Sequence, residues 1–164
     1  MWIDRIVEHE PGARLVAVKN VSLAEEHIHD HFPGTPVMPG ALLIEGVAQT
    51  SGIMVGAVNQ FREKVILAKI TKAMIERDAL PGQTLRYTAS LDRIDEAGAA
   101  TTAAVELRTN EPDDDRWHAI GQVDLIFSHV DQNMSGLDFP EENFVFGENF
   151  RAILAASGLV PETV

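Results

Sequence analysis

The chain contains no cysteine among its 164 residues, which excludes disulfides, thiolate catalysis and zinc–thiolate sites and suits a reducing compartment. It is also short of positive charge. Thirteen Lys and Arg stand against 25 Asp and Glu, a net charge of −12, which argues against nucleic acid as a partner because phosphate backbones are bound through a cationic surplus. No basic segment followed by an apolar core opens the chain, so no signal peptide is visible and the expected location is the cytoplasm. Internal repeats are absent. No metal is expected either: in HIHDH, His27, His29 and His31 fall one residue short of an H-x-H-x-D-H signature, and His118 and His129 stand alone in the sequence. The longest apolar run, about residues 37 to 58, approaches membrane-spanning length. It carries Glu45, Gln49, Thr50 and Ser51, and reads as a buried helix of a soluble domain, with no membrane as partner.

What is present is one domain's worth of chain, 45% hydrophobic, organised around His31–Gln49, HFPGTPVMPGALLIEGVAQ. Pro39 suits the first turn of a helix, since its missing N–H is one that helix starts leave unpaired. Gly40 then leaves the N–H groups of that turn open, with the positive end of the helix dipole behind them, to polarise a carbonyl oxygen. Glu45 and Gln49, four residues apart, share a helix face and can hydrogen-bond. A carboxylate among Ala41, Leu42, Leu43, Ile44, Val47 and Ala48 is expected to be desolvated, its pKa raised. His31 precedes the helix on a Pro/Gly-stiffened loop. The stretch therefore offers an acid/base pair beside a carbonyl clamp. Gln49 reads equally well as an orienting group for Glu45 or as a satisfied amide of the helix.

Along the chain, residues 2 to 9 and 13 to 22 read as strands around a Glu10-Pro11-Gly12 turn, and 23 to 38 as the loop that delivers His31. The helix is expected from about Pro39 to Asn59. Residues 64 to 76, 83 to 95, 99 to 110 and 116 to 129 read as further strands, separated by Pro81-Gly82, Glu96-Ala97-Gly98 and Glu111 to Asp115. In the last, Val123, Leu125 and Phe127 alternate with Gln122, Asp124 and Ser128. One helix and about six strands in hairpin order make an α+β fold, an antiparallel sheet wrapped on a helix. Two regions are expected: a domain at 1–130, then an extension at 131–164 with a linker at 131–143 and a short amphipathic helix at 147–159 through Phe150, Ile153, Leu154 and Leu159.

The pattern H-F-P-G-x-P-x-M-P-G followed by L-x-x-E-x-x-A-Q resembles the 3-hydroxyacyl-(acyl-carrier-protein) dehydratases of fatty-acid synthesis, the FabZ type, which have a hotdog fold. Val16 to Ser22 and Leu80-Pro81-Gly82 extend the likeness to roughly residues 2 to 128. The resemblance implies a cofactor-free hydro-lyase that converts (3R)-3-hydroxyacyl thioesters to trans-2-enoyl thioesters. His31 and Glu45 become the catalytic pair, with the Gly40 N–H on the thioester oxygen and Gln49 in support. It also implies a homodimer or larger homo-oligomer whose sites draw His31 and Glu45 from different chains. Met74, Ile75 and Leu80 are candidates for the acyl-chain slot. A bifunctional dehydratase/isomerase is a near alternative, disfavoured by Glu rather than Asp at position 45. A non-catalytic acyl-chain or acyl-carrier binding module is an alternative of another class.

Four departures qualify the likeness. Ala73 to Asp78 replace the family's basic and aromatic A-R-F-R-R-P segment, and in residues 1–130 only 12 Lys and Arg face 19 Asp and Glu. An acidic carrier protein must therefore use a local patch such as Arg62, Lys64, Lys69 and Lys72. Gly46 stands where Ala is commoner, a small expected cost in helix propensity. The family's segment before Met1 is missing, leaving an open site mouth as the expectation.

Overall fold

The computed structural model describes residues 1–130 and 145–158. Six strands, β1 (Arg5–Glu10), β2 (Arg14–Asn20), β3 (Val65–Ile75), β4 (Thr84–Asp95), β5 (Gly98–Arg108) and β6 (His118–His129), form one antiparallel sheet in the order β1-β2-β4-β5-β6-β3. Among the described residues three helices accompany it: α1 (Glu26–Asp30), α2 (Gly40–Val58) and α3 (Glu148–Ala156). The crossover from β2 to β3 carries α1 and α2, which puts the long helix on one face of the sheet and leaves β1 and β3 as its edges.

Alternation in the strands decides which face α2 meets. Val123, Leu125 and Phe127 of β6 are buried, while Gln122, Asp124 and Ser128 stay partly exposed. Leu15 and Ala17 of β2, and Leu85, Tyr87 and Ala89 of β4, complete that inner surface. Against it α2 buries Leu43, Val47, Ile53, Met54 and Val55, a helix apolar nearly all round because the sheet curves about it. By length and composition α2 is apolar enough to cross a membrane, yet over half of its most apolar window is buried inside the fold.

The loop read at 23–38 contains one helical turn and a half, α1, whose only buried residue is Ile28. Its start is held by a charged cluster. Lys19, buried on the inner side of β2, reaches Glu25 Oε1 at 2.6 Å and Asp4 Oδ1 at 3.3 Å, and Glu25 Oε2 accepts the Ser22 N–H at 3.1 Å. After α1 the chain turns at Gly34, whose φ of 82° lies in the left-handed region that glycine tolerates, and Met38 donates to the Ala79 carbonyl at 2.9 Å. Helix α2 then begins with Pro39 as its cap residue.

In the extension, the helix expected at 147–159 is observed as α3. Leu154 is buried, Phe150 and Ile153 half-buried, and the Ser157 Oγ accepts the Ile6 N–H at 3.1 Å, so this segment packs back on the domain. The linker expected at 131–143 and Leu159 lie outside the described residues.

Candidate active site

Glu45 sits at the second turn of α2 with its carboxylate fixed by a relay. Gln49 Nε2 donates to Glu45 Oε1 at 2.9 Å, and Gln49 Oε1 accepts the Trp2 N–H at 2.8 Å. A backbone N–H can only donate, so Trp2 decides which end of the amide faces it and turns the NH2 toward the carboxylate. The Trp2 ring meets the His27 ring edge to face, centroids 4.9 Å apart, so one N-terminal residue touches both the helix that ends at His31 and the helix that carries Glu45.

Three expectations change here. Glu45 is exposed, so the desolvation expected from its apolar neighbours is not supplied by its own chain. On a helix the residues that flank a side chain in space are three and four positions away, not adjacent in sequence. Met74, Ile75 and Leu80 do not line the cavity beside Glu45. That cavity, about 270 Å3, takes Val65, Ile66 and Leu67 from the opposite end of β3, roughly 25 Å along the strand from Met74 at 3.3 Å per residue. Met74 and Leu80 are exposed. Of the cationic patch at Arg62, Lys64, Lys69 and Lys72, Lys64 is buried and the other three are exposed.

His31 follows α1 directly and its ring leans on Phe32, centroids 4.2 Å apart, both side chains exposed. No hydrogen bond or ring contact joins His31 to Glu45 among the described residues, and His31 does not line the cavity that Glu45 borders. At the start of α2, Leu42 and Leu43 both donate to the Pro39 carbonyl, while the Gly40 N–H has no partner among the described residues. Gly40 is exposed and a Cβ there would meet nothing within 4 Å, so the start of the helix is open to approach. The chain thus offers a fixed carboxylate beside an apolar cavity, an open N–H donor at a helix start, and an exposed imidazole elsewhere.

Gly46, next to the carboxylate, has a second role that its helix propensity hides. A Cβ there would stand 2.7 Å from the ring of Tyr87 on β4, so its absence lets α2 close on the sheet. The Tyr87 hydroxyl is buried without a hydrogen bond among the described residues, and burial, with the charges of Asp4 and Glu25, raises its pKa above the usual phenol value. Phe146 and Phe150 line the cavity too. Sequence reasoning missed Trp2, Glu25 and Phe146, and placed Phe150 only on an amphipathic helix. Only Lys19, inward-facing in the alternation of β2, carried a signal for the cluster around Glu25.

A single long helix embraced by an antiparallel sheet in this strand order is the hotdog fold, and solved structures agree. The dehydratase heterocomplex ApeI:P from Xenorhabdus doucetiae superposes with a TM-score of 0.55 over 74% of this chain and 92% of that one, at 16% identity. A thioesterase family protein from Silicibacter pomeroyi reaches 0.60 over 76% and 82%, at 11% identity. Those likenesses establish the fold alone. The FabA-like domain family matches residues 1–112, and this chain belongs to that family. Among curated relatives, the 3-hydroxyacyl-[acyl-carrier-protein] dehydratase FabZ of Geobacter metallireducens is 44% identical over 89 residues, 52% of this chain and 59% of the relative. FabZ of Oenococcus oeni is 37% identical over 106 residues, 63% and 76%. The chain spans about three fifths of the length of the first curated relatives it matches.

Proposed function

We propose that this protein is a hydro-lyase of the dehydratase kind, acting on (3R)-3-hydroxyacyl thioesters carried by an acyl carrier protein in fatty-acid or related lipid synthesis. The observation that carries the reading is the Glu45 carboxylate, oriented by Gln49 at the polar end of an otherwise apolar cavity, in a chain of the FabA-like family. Dehydration removes a proton from the carbon next to the thioester and breaks the bond from the next carbon to its hydroxyl. His31 takes the α-proton, because imidazole exchanges protons near neutrality. The Glu45 carboxyl gives its proton to the departing hydroxyl, which leaves as water, and the electron pair of the broken C–H bond becomes the new double bond. The Gly40 N–H, at the positive end of α2, holds the charge that develops on the thioester oxygen.

His31 and Glu45 do not meet within one chain, and a second copy supplies the missing partner. Strand β3 is an eleven-residue edge on which Leu67, Ile70 and Met74 are 39 to 44% exposed, and its outer backbone edge, unpaired among the described residues, is a template for another strand. Two copies paired antiparallel through β3 would extend one sheet into the other and bring one copy's His31 to the other's Glu45. Pairing centred near Ile70 also sets one copy's Met74 beside the other's Leu67, at the rim of the cavity. Such pairing encloses the exposed Glu45, as a proton donor requires.

The test is hydration of a short trans-2-enoyl thioester, followed by loss of its ultraviolet absorbance, for wild type, His31→Ala and Glu45→Gln. Activity should fall by three orders of magnitude or so in both variants, with oligomer size retained. A wild type inactive on both carrier-protein and coenzyme-A thioesters overturns the reading.

A further inference from the structure

The cavity beside Glu45 ends at residues that the family match does not cover. On α2 the positions that face it, Glu45, Ala48, Gln49 and Gly52, follow helical spacing along one face, and Gly56 continues the same stripe. From carboxylate to Gly56 this stripe bears only small residues beyond the amide, so it forms a trough. Phe146 fills its far end: a Cβ on Gly56 would stand 2.5 Å from the Phe146 Cζ. The ring of Phe61 meets Phe146 edge to face at 4.9 Å, and Phe150 does so at 5.7 Å. Phe61 holds this position with a φ of 59°, a left-handed conformation that costs a bulky residue energy and persists here with its ring packed on Phe146. Ser157, bonded to the backbone of β1, ties down the other end of α3.

We propose that Phe146 and Phe150 form the end wall of the acyl slot and set the longest acyl chain the site accepts, an inference that rests on the thioester reading above. The polar groups at the opposite end, Glu45 and Gln49, set the direction in which a substrate lies. Its reacting carbons sit at the carboxylate, and its alkyl tail runs over Gly52 toward Phe150. The cavity's volume of about 270 Å3 is below the usual range for small-molecule pockets, so the slot suits short to medium chains.

Binding of S-alkyl pantetheine thioethers with four-, eight- and twelve-carbon chains, measured calorimetrically on the intact protein, tests the wall. These probes carry no 3-hydroxyl and need no turnover. In wild type the affinity should rise by roughly fourfold per methylene until the slot is full, then level off. Phe150→Ala should move that break to longer chains. Gly52→Ala, whose new methyl meets only Phe127, at 3.6 Å, among the described residues, should move it to shorter ones and cannot fail for lack of a core residue. A break that stays in place in Gly52→Ala, or an affinity lowered equally at every length, overturns the proposal. A shifted break in a protein that hydrates no enoyl thioester would keep the slot and remove the dehydratase; an active enzyme with an unmoved break would do the reverse.

Discussion

Gln49 donates to the Glu45 carboxylate at 2.9 Å while its own carbonyl oxygen is occupied by the Trp2 N–H at 2.8 Å. The amide is thus a spacer of fixed polarity between the backbone before β1 and the carboxylate on α2. Its position depends on strand and helix together, so the carboxylate is oriented by the fold rather than by its own rotamer preferences.

Replacing Gln49 with Leu keeps the volume and removes both bonds. A hydrogen bond to a charged group contributes about 1.5–3 kcal/mol, so kcat for enoyl-thioester hydration should fall roughly tenfold to a hundredfold, with KM little changed. Steady-state kinetics beside thermal unfolding separate the alternatives. A lower melting temperature with kcat intact would make Gln49 a structural amide only.

The cluster around Lys19 makes a pH-dependent contribution. Burial raises the pKa of Glu25, but the hydrogen bond from Lys19, the Ser22 N–H and nearby positive charge outweigh it and hold the carboxyl below its ordinary value of 4.5. A carboxyl depressed in the folded state stabilises the protein above its unfolded pKa and loses that contribution as pH falls through the folded one. Glu25→Gln should therefore cost about 1–3 kcal/mol at pH 7, between the values for exposed and for fully buried pairs because Glu25 is a quarter exposed. Urea titrations at neutral pH and below pH 4 check this: the gap between wild type and variant should narrow in acid. A gap of the same size at both pH values would exclude Glu25 ionisation as its source.

Much of this architecture is readable from residues alone, and the exceptions share a cause. The six strands and α2 announce themselves through alternation, β-branched content and Pro/Gly punctuation, all local signals. Helix α1 spans five residues, too few to display a period, and hides among histidines. Gly46 reads as a small loss of helix propensity, yet its reason is Tyr87, 41 positions away in sequence, and only packing reveals it. The Trp2 contact runs through a backbone N–H, which every residue but proline possesses, so no side-chain pattern could mark it. Glu45 looked buried because its sequence neighbours are apolar. The helix instead points it outward past Leu42 and Gln49, and a single chain leaves it open. Phe146 and Phe150 lie beyond the matched domain and gain meaning only in three dimensions, Phe146 where it meets Gly56 and Phe150 where it lines the cavity.

That openness leads to a prediction about subunits rather than residues. If each site takes His31 from one chain and Glu45 from the other, a heterodimer of His31→Ala and Glu45→Gln chains has one doubly defective site and one wholly native site. Random re-pairing of equal amounts yields half heterodimers with one working site in two, so about a quarter of wild-type activity should return on mixing unfolded chains and refolding them. Neither variant refolded alone should recover. Were both groups supplied by the same chain, every site in the mixture would keep one defect and no activity would return. The outcome depends only on which chain contributes which group, so it tests the shared site independently of substrate length and of the carrier.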